Sequence, residues 1–233
     1  MTRISELQKA VRDLGRPARA RFLQGFFKTG PGEYGEGDRF LGLTVPQVRR
    51  LVRRFHPADF PAIAAILRSP FHEERLLGLL LLVERYRKGS DADRAAAYRL
   101  YCRNFSCINN WDLVDATAEH VVGPHAVGRA QLLSWAASPN LWIRRIAIVS
   151  TFHSIRRNRF DDMLAVARRL LRDQEDLIHK AAGWMLREVG KRDVAVLESF
   201  LRRYGGSMPR TMLRYAIERF PAAKRKAYLQ GTV

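Results

Sequence analysis

The 233-residue sequence holds only two cysteines, Cys102 and Cys107. Two thiols make no disulfide framework, and no CxxC or HExxH pairing offers a set of metal ligands. The six histidines are scattered, at 56, 72, 120, 125, 153 and 179. Long apolar runs are missing as well: the most apolar stretch, Leu76 to Val83, is far too short to cross a bilayer. The N-terminal MTRISELQKAVRDLG lacks the continuous apolar region of a secretion signal. A cytoplasmic protein is therefore expected, nucleoid-associated if bacterial. No stretch alternates convincingly at period two, which argues against strands.

Acids are also scarce. Only 23 Asp and Glu face 41 Lys and Arg, leaving a formal charge of +18. Arginine outnumbers lysine 34 to 7; codon usage can explain that preference but not the shortage of acids. With 47% apolar residues the chain is a folded protein and not a basic tail. Such a balance points to a nucleic-acid partner. The length fits one large domain or an elongated repeat array, and a single domain over 1–233 is expected.

Helical punctuation recurs throughout. Helices are expected near 4–14, 17–29, 46–55, 59–68, 70–88, 91–103, 109–122, 127–137, 140–157, 161–172, 174–190, 193–204, 208–220 and 221–230. Thr44 and Pro46 open one of them, Ser69 is placed as a cap before Pro70, and Pro209 sits early in another. Gly89, Gly123 and the Gly205–Gly206 pair mark stops. From residue 70 onward the helices come in pairs. Asp115 to Arg145 spans 30 residues and Arg145 to Trp184 spans 39, within the range of HEAT-like two-helix repeats. The expected fold is all-α, an α-solenoid of such repeats with a concave basic groove. The Gly-rich segment 28–42 follows no phosphate-loop spacing and reads as an ordered connector near the groove mouth.

Trp111 and Asp115 lie four apart on one expected helix and therefore share a face. If helices of a stacked array run parallel, Asp115, Arg145, Trp111 and Trp184 can line one groove. An acidic and aromatic pocket inside so basic a chain suits chemistry on a cationic centre embedded in a polyanion. Indole faces attract cations, by roughly 0.5–2 kcal/mol, and a fixed carboxylate stabilises developing positive charge. Trp135 and Trp142 have no carboxylate partner and are assigned to packing. Asp112 is expected to cap or pair locally, and Glu119 to form a salt bridge on the rim. Arg49 and Arg50 recur as Arg53 and Arg54 at i,i+4 and form a basic stripe for tracking phosphates. Arg187, with Arg156, Arg157 and Lys191, is a weaker candidate for that role.

With these pieces in order, the chain resembles the HEAT-like-repeat DNA glycosylases of the AlkD-type DNA alkylation repair family. The resemblance runs through FLGLTVPQVRRL (40–51), NNWDLVD (109–115), NLWIRRIAI (140–148) and KAAGWMLREVGK (180–191). It implies release of cationic N3- or N7-alkylpurines from duplex DNA by hydrolysis, by a monomer with no metal, cofactor, membrane or obligate protein partner. Carried over by position, Asp115, Trp111 and Trp184 match the family's catalytic residues. Arg145, which directly precedes the apolar IAI run, matches its cleft arginine and would hold a flanking phosphate; the adjacent Arg144 is the other candidate. Lys180 reads as a phosphate contact instead of a Schiff-base lysine. The resemblance further implies a grip on the backbone around the lesion, with no pocket enclosing the base. The alternative is a HEAT-repeat protein that binds nucleic acid without catalysis.

Overall fold

The computed structural model describes residues 3–125 and 127–232. Among them every regular element is a helix, and the one β-type contact is an isolated bridge between Arg39 and Phe71. The fold is all-α, as the missing period-two pattern requires. The chain divides into two compact units, Met1–Val121 and Val122–Val233.

The first unit contains α1 (Ile4–Arg12), α2 (Pro17–Phe26), α3 (Val45–Phe55), α4 (Phe60–Ile66), α5 (His72–Lys88), α6 (Asp91–Arg103), α7 (Trp111–Asp115) and α8 (Ala118–Val121). Its centre is α5, whose residues are buried without a break from His72 to Val83. A helix that is apolar all round must be enclosed, and α1, α3, α4, α6 and α8 pack around this one. The start of α3 follows the expected chemistry. Thr44 and Gln47 form a reciprocal capping box, with Pro46 in the first turn, where a missing N–H costs nothing. Ser69 does not cap α5. Its hydroxyl accepts from the Phe71 amide at 3.0 Å and donates to Glu74 at 2.7 Å, closing a turn before a helix that opens two residues later than expected.

The second unit contains α9 (Arg129–Trp135), α10 (Leu141–Ser150), α11 (Phe152–Ile155), α12 (Asp161–Arg169), α13 (Asp176–Gly190), α14 (Val194–Tyr204), α15 (Arg210–Ala216) and α16 (Ala222–Gln230). Here α10, α13 and α15 pack in succession, while α9, α12 and α14 each lie against a member of that row. Helices α13 and α15 meet at Gly183. A Cβ on that glycine would lie 2.5 Å from both the Met212 carbonyl oxygen and the Tyr215 Cβ, so only glycine lets the two backbones meet there. Pro209 stands at the N-cap of α15 and not inside it.

Two expected helices are broken. The segment 109–122 splits into α7 and α8, because the Thr117 hydroxyl turns back onto the Leu113 carbonyl and also bonds Tyr101. The segment 140–157 splits into α10 and α11 at Ser150 and Thr151, whose hydroxyls bond the Ala147 and Ile148 carbonyls. Such back-bonding competes with the helical ladder and bends or ends it.

Candidate functional site

Four consecutive ionisable residues, His72, Glu73, Glu74 and Arg75, open α5, and all four are buried. Charges at such depth persist only when paired, and each of these finds partners outside α5. Glu73 accepts the backbone N–H groups of Leu41, Gly42 and Leu43 at 2.9, 2.7 and 3.1 Å. Gly42 holds φ +92° there, a conformation suited to glycine. The amides of the Gly-rich connector thus grip a carboxylate of the chain itself, which accounts for its order. Glu74 takes Arg12 at 2.8 Å, Ser69 at 2.7 Å and Gln8 at 3.2 Å, tying α1 to α5.

His72 carries the link to α7. Its Nδ1 lies 2.8 Å from Asp38 and its Nε2 2.8 Å from Asp112. With a carboxylate at each nitrogen, both nitrogens donate and the ring is an imidazolium. Burial opposes that charge, but attraction and hydrogen bonding to Asp112 and Asp38 overcome it and raise the His72 pKa to about 9. Burial likewise works against an ionised Asp38, and His72 and Arg75 together hold its carboxyl below the ordinary value. Arg75 donates to Asp38 at 2.6 Å and to Asn109 at 3.0 Å. Asp112 makes the expected local bond, accepting from the Leu113 amide at 2.9 Å, and its other oxygen takes His72, 40 residues away.

This network holds the first turn of α7. The buried Asn110 is the N-cap, its side-chain oxygen accepting from the Trp111 amide at 2.9 Å. Leu113 and Val114 face the core, whereas Trp111 and Asp115 remain half-buried. Trp111 stacks on Phe27 at 5.2 Å and meets Phe26 edge-on at 6.2 Å. Behind Phe27, Phe40 stacks on the His72 ring at 4.5 Å. The Asp115 charge reaches Tyr101, whose phenol is pushed well above its ordinary value, first by burial and further by Cys102 and Asp115. Glu119, expected on a rim, is instead buried at 8% exposure, because α8 turns its first residues against α5 and α6.

Arg49, Arg50 and Arg53 project from α3 and are exposed, with no ion pair among the described residues. Arg54 lies over the Phe55 ring at 5.1 Å. Arg49 and Arg53 line a cleft of about 520 Å³ together with His56, Arg87, Lys88 and His120. Burial, followed by the Lys88 charge, lowers the His56 pKa. Glu84, also in the cleft, bonds Arg87 at 2.8 Å and Lys88 at 3.1 Å. The free charge facing this cleft is cationic and suits a phosphate backbone.

In the second unit, Trp184 is half-buried on α13 and meets Phe152 edge-on at 5.7 Å. Arg156 also covers the Phe152 ring, at 4.5 Å. Trp142, by contrast, is only 7% exposed and belongs to the core. The two adjacent arginines have separate fates. Arg144 donates to Asp173 at 2.7 and 3.3 Å and to the Ser138 and Pro139 carbonyls at 2.9 and 3.1 Å. A guanidinium so occupied braces the turn before α13. Arg145 is 5% exposed and donates to the Leu177 carbonyl. Lys180 pairs with Asp176 at 2.7 Å one turn away and keeps a half-exposed side chain. Arg187 pairs with Glu218 and is mostly covered, which leaves it less accessible than the α3 arginines.

The spacing of single helices does not disclose Asp38, His72, Phe27 or Phe152. The signal in the sequence is FHEER (71–75), a polar cluster set directly before the most apolar run of the chain. Among the described residues no group of His, Cys, Asp and Glu is arranged to hold a metal ion, and no helix is long and apolar enough to cross a membrane.

A family profile described as DNA alkylation repair enzyme matches residues 7–220. No curated protein matches the chain. Among solved structures, the chain is similar to a predicted DNA alkylation repair enzyme from Enterococcus faecalis, at 16% identity and a TM-score of 0.69, over 89% of this chain and 97% of that one. At that identity the likeness concerns the fold.

Proposed function

The chain belongs to the DNA alkylation repair enzyme family, and on that footing we propose that it is a DNA glycosylase acting on cationic N3- and N7-alkylpurines in duplex DNA. In this reading its helices pair as HEAT-like repeats and the protein works as a monomer. The carrying observation is the Trp111–Asp115 pair, one indole and one carboxylate on a single helical turn, anchored by the buried Asp38–His72–Asp112 network. A purine alkylated at N3 or N7 already carries positive charge. Its bond to C1′ breaks with the electron pair moving onto the base, so no general acid is needed. The sugar becomes oxocarbenium-like. The Asp115 carboxylate stabilises that charge and orients or deprotonates the water that adds to C1′. The Trp111 face favours the cationic centre, and Trp184 offers a second indole face in the other unit. Lys180 and the α3 arginines hold phosphates; Arg145, buried against the Leu177 carbonyl, acts through the fold. Arg144 and Arg187 act through the fold.

Incubation with duplex DNA containing 7-methylguanine, followed by detection of the free base, tests the proposal. Release by the wild type and its loss in Asp115→Asn are expected. Tight duplex binding without any release would favour a nucleic-acid-binding protein without catalysis, for which the basic cleft on α3 would suffice.

A further inference from the structure

The helix α2 is the least covered in its unit, with Leu23 its one buried residue. Two phenylalanines stand out from it: Phe22 is 64% exposed and Phe26 is 54% exposed. They are four residues apart on one face, with ring centroids 6.1 Å apart and planes within 19° of each other. Leaving two aromatic rings in water is unfavourable and marks a surface meant to be covered. The patch is small. Two rings at this exposure present on the order of 200 Å², against the roughly 800 Å² per partner of a stable protein interface. Its surroundings are cationic: α2 contains no acid, and Arg16, Arg19 and Arg21 are exposed with no ion pair among the described residues. Arg19 lies three residues before Phe22 on the same ridge. Flat aromatic faces beside free guanidinium groups match a nucleotide, in which a base and a phosphate occur at close spacing. The inner ring of the pair, Phe26, meets Trp111 edge-on, so the patch continues to the candidate catalytic turn.

We infer that Phe22 and Phe26 form an open stacking platform for a nucleobase displaced from the DNA duplex, with Arg19 meeting the adjoining phosphate. This rests on duplex DNA being the substrate, but not on cleavage of the glycosidic bond. An open platform also agrees with a site that does not enclose a flipped base.

A duplex carrying a tetrahydrofuran abasic analogue opposite 2-aminopurine tests it, since this probe offers an unpaired base and cannot be cleaved. The wild type should bind it more tightly than the fully paired duplex and change the 2-aminopurine fluorescence. Phe22→Ala and Phe26→Ala should each weaken binding to this probe about tenfold and erase the fluorescence change, with binding to the paired duplex unaltered. Among the described residues the only ring neighbour of Phe22 is Phe26, so Phe22→Ala alone carries the test if Phe26→Ala disturbs Trp111. Variants that bind both duplexes as the wild type does would overturn the platform. So would a wild-type dimer in sedimentation that Phe22→Ala converts to monomer, because the rings would then be covered by a second copy of the chain. Failure to release 7-methylguanine would remove the glycosylase reading and leave this result standing.

Discussion

The His72 Nε2 lies 2.8 Å from an Asp112 carboxylate oxygen, and this bond joins the start of α5 to the turn that carries Trp111 and Asp115. The opposite ring nitrogen holds Asp38 of the connector at the same distance. One imidazolium therefore fixes two segments that lie 34 and 40 residues from it in sequence. Removing it would leave Asp38 with Arg75 as its remaining cation and the part-exposed Asp112 with no ion pair among the described residues. Breaking a fully buried pair typically costs about 3–5 kcal/mol, and this change should cost less.

Stability should fall in alkali for this reason. The folded state raises the His72 pKa from 6.5 to about 9. The fold therefore binds this proton more tightly than the unfolded chain does. The contribution is complete below about pH 6.5 and is lost as the pH rises through about 9, on the order of 3 kcal/mol in all. The depressed pKa of Asp38 acts in the other direction: its contribution is present above its ordinary value and lost as the solution turns acid. Urea unfolding of the wild type and of His72→Gln at pH 6, 8 and 10 checks the sign. The gap between the two proteins should narrow as pH increases; a gap that stays constant from pH 6 to 10 would show that His72 is not held as the imidazolium.

Asp115→Asn should reduce base release by on the order of 10²–10³, the usual effect of removing one electrostatic element from a transition state. The amide keeps the shape and loses only the charge. Duplex affinity should be unchanged or slightly improved, since a negative group near phosphates has been removed. Single-turnover excision and duplex titration separate the two effects. Unchanged excision would assign Asp115 to a structural ion pair.

Neutral substitutions at Arg49 and Arg53 should weaken binding to damaged and undamaged duplexes alike. Removing one phosphate-bound guanidinium should flatten the slope of log K against log salt by about one unit. Arg144→Ala should behave differently, because its guanidinium braces Asp173 and two carbonyls. It should lower the unfolding midpoint and leave the salt slope intact. Salt titrations of the three variants, with thermal melts alongside, distinguish an arginine that meets DNA from one that holds the fold. A weakening confined to lesion-bearing duplexes at Arg49 or Arg53 would contradict the backbone role.

The elements that could be read in the sequence are those governed by short spacing. The burial of α5 from Leu76 to Val83 follows from LLGLLLLV, the start of α3 from Thr44 and Pro46, and the shared side of Trp111 and Asp115 from a separation of four. The Asp38–His72–Asp112 chain was illegible because local periodicity says nothing about partners 30 or more residues away. Glu119 was read as a rim charge for the same reason: its burial depends on how α8 packs, not on its neighbours in sequence. Arg145 is preferred to Arg144 in the sequence only because it precedes the IAI run; adjacent positions on a helix differ by about 100°, and the location of Asp173 assigns Arg144 to bracing. The breaks at Thr117 and Ser150–Thr151 were concealed by good helical periodicity on both sides, although the back-bonding hydroxyls were in view.

Lesion choice offers the sharpest test of how the site works. If indole faces and one carboxylate act on positive charge, reactivity should follow the cationic character of the adduct. An N7- or N3-alkylpurine should be released, whereas uracil, hypoxanthine and 8-oxoguanine, which are neutral, should not. The uncatalysed departure of a cationic purine is already comparatively easy, so modest electrostatic help suffices for it and falls short for a neutral base. Bulk should matter little. Trp111 and Asp115 are half-buried on an open turn, and a large N7 substituent need not fit inside the protein. A panel of duplexes with 7-methylguanine, a bulkier N7 adduct, uracil and hypoxanthine, scored for free base under single turnover, separates the cases. Efficient excision of uracil would sink the charge rule. Release of methyl adducts with complete rejection of bulky cationic ones would instead require a shape-matched pocket that forms around the base on binding.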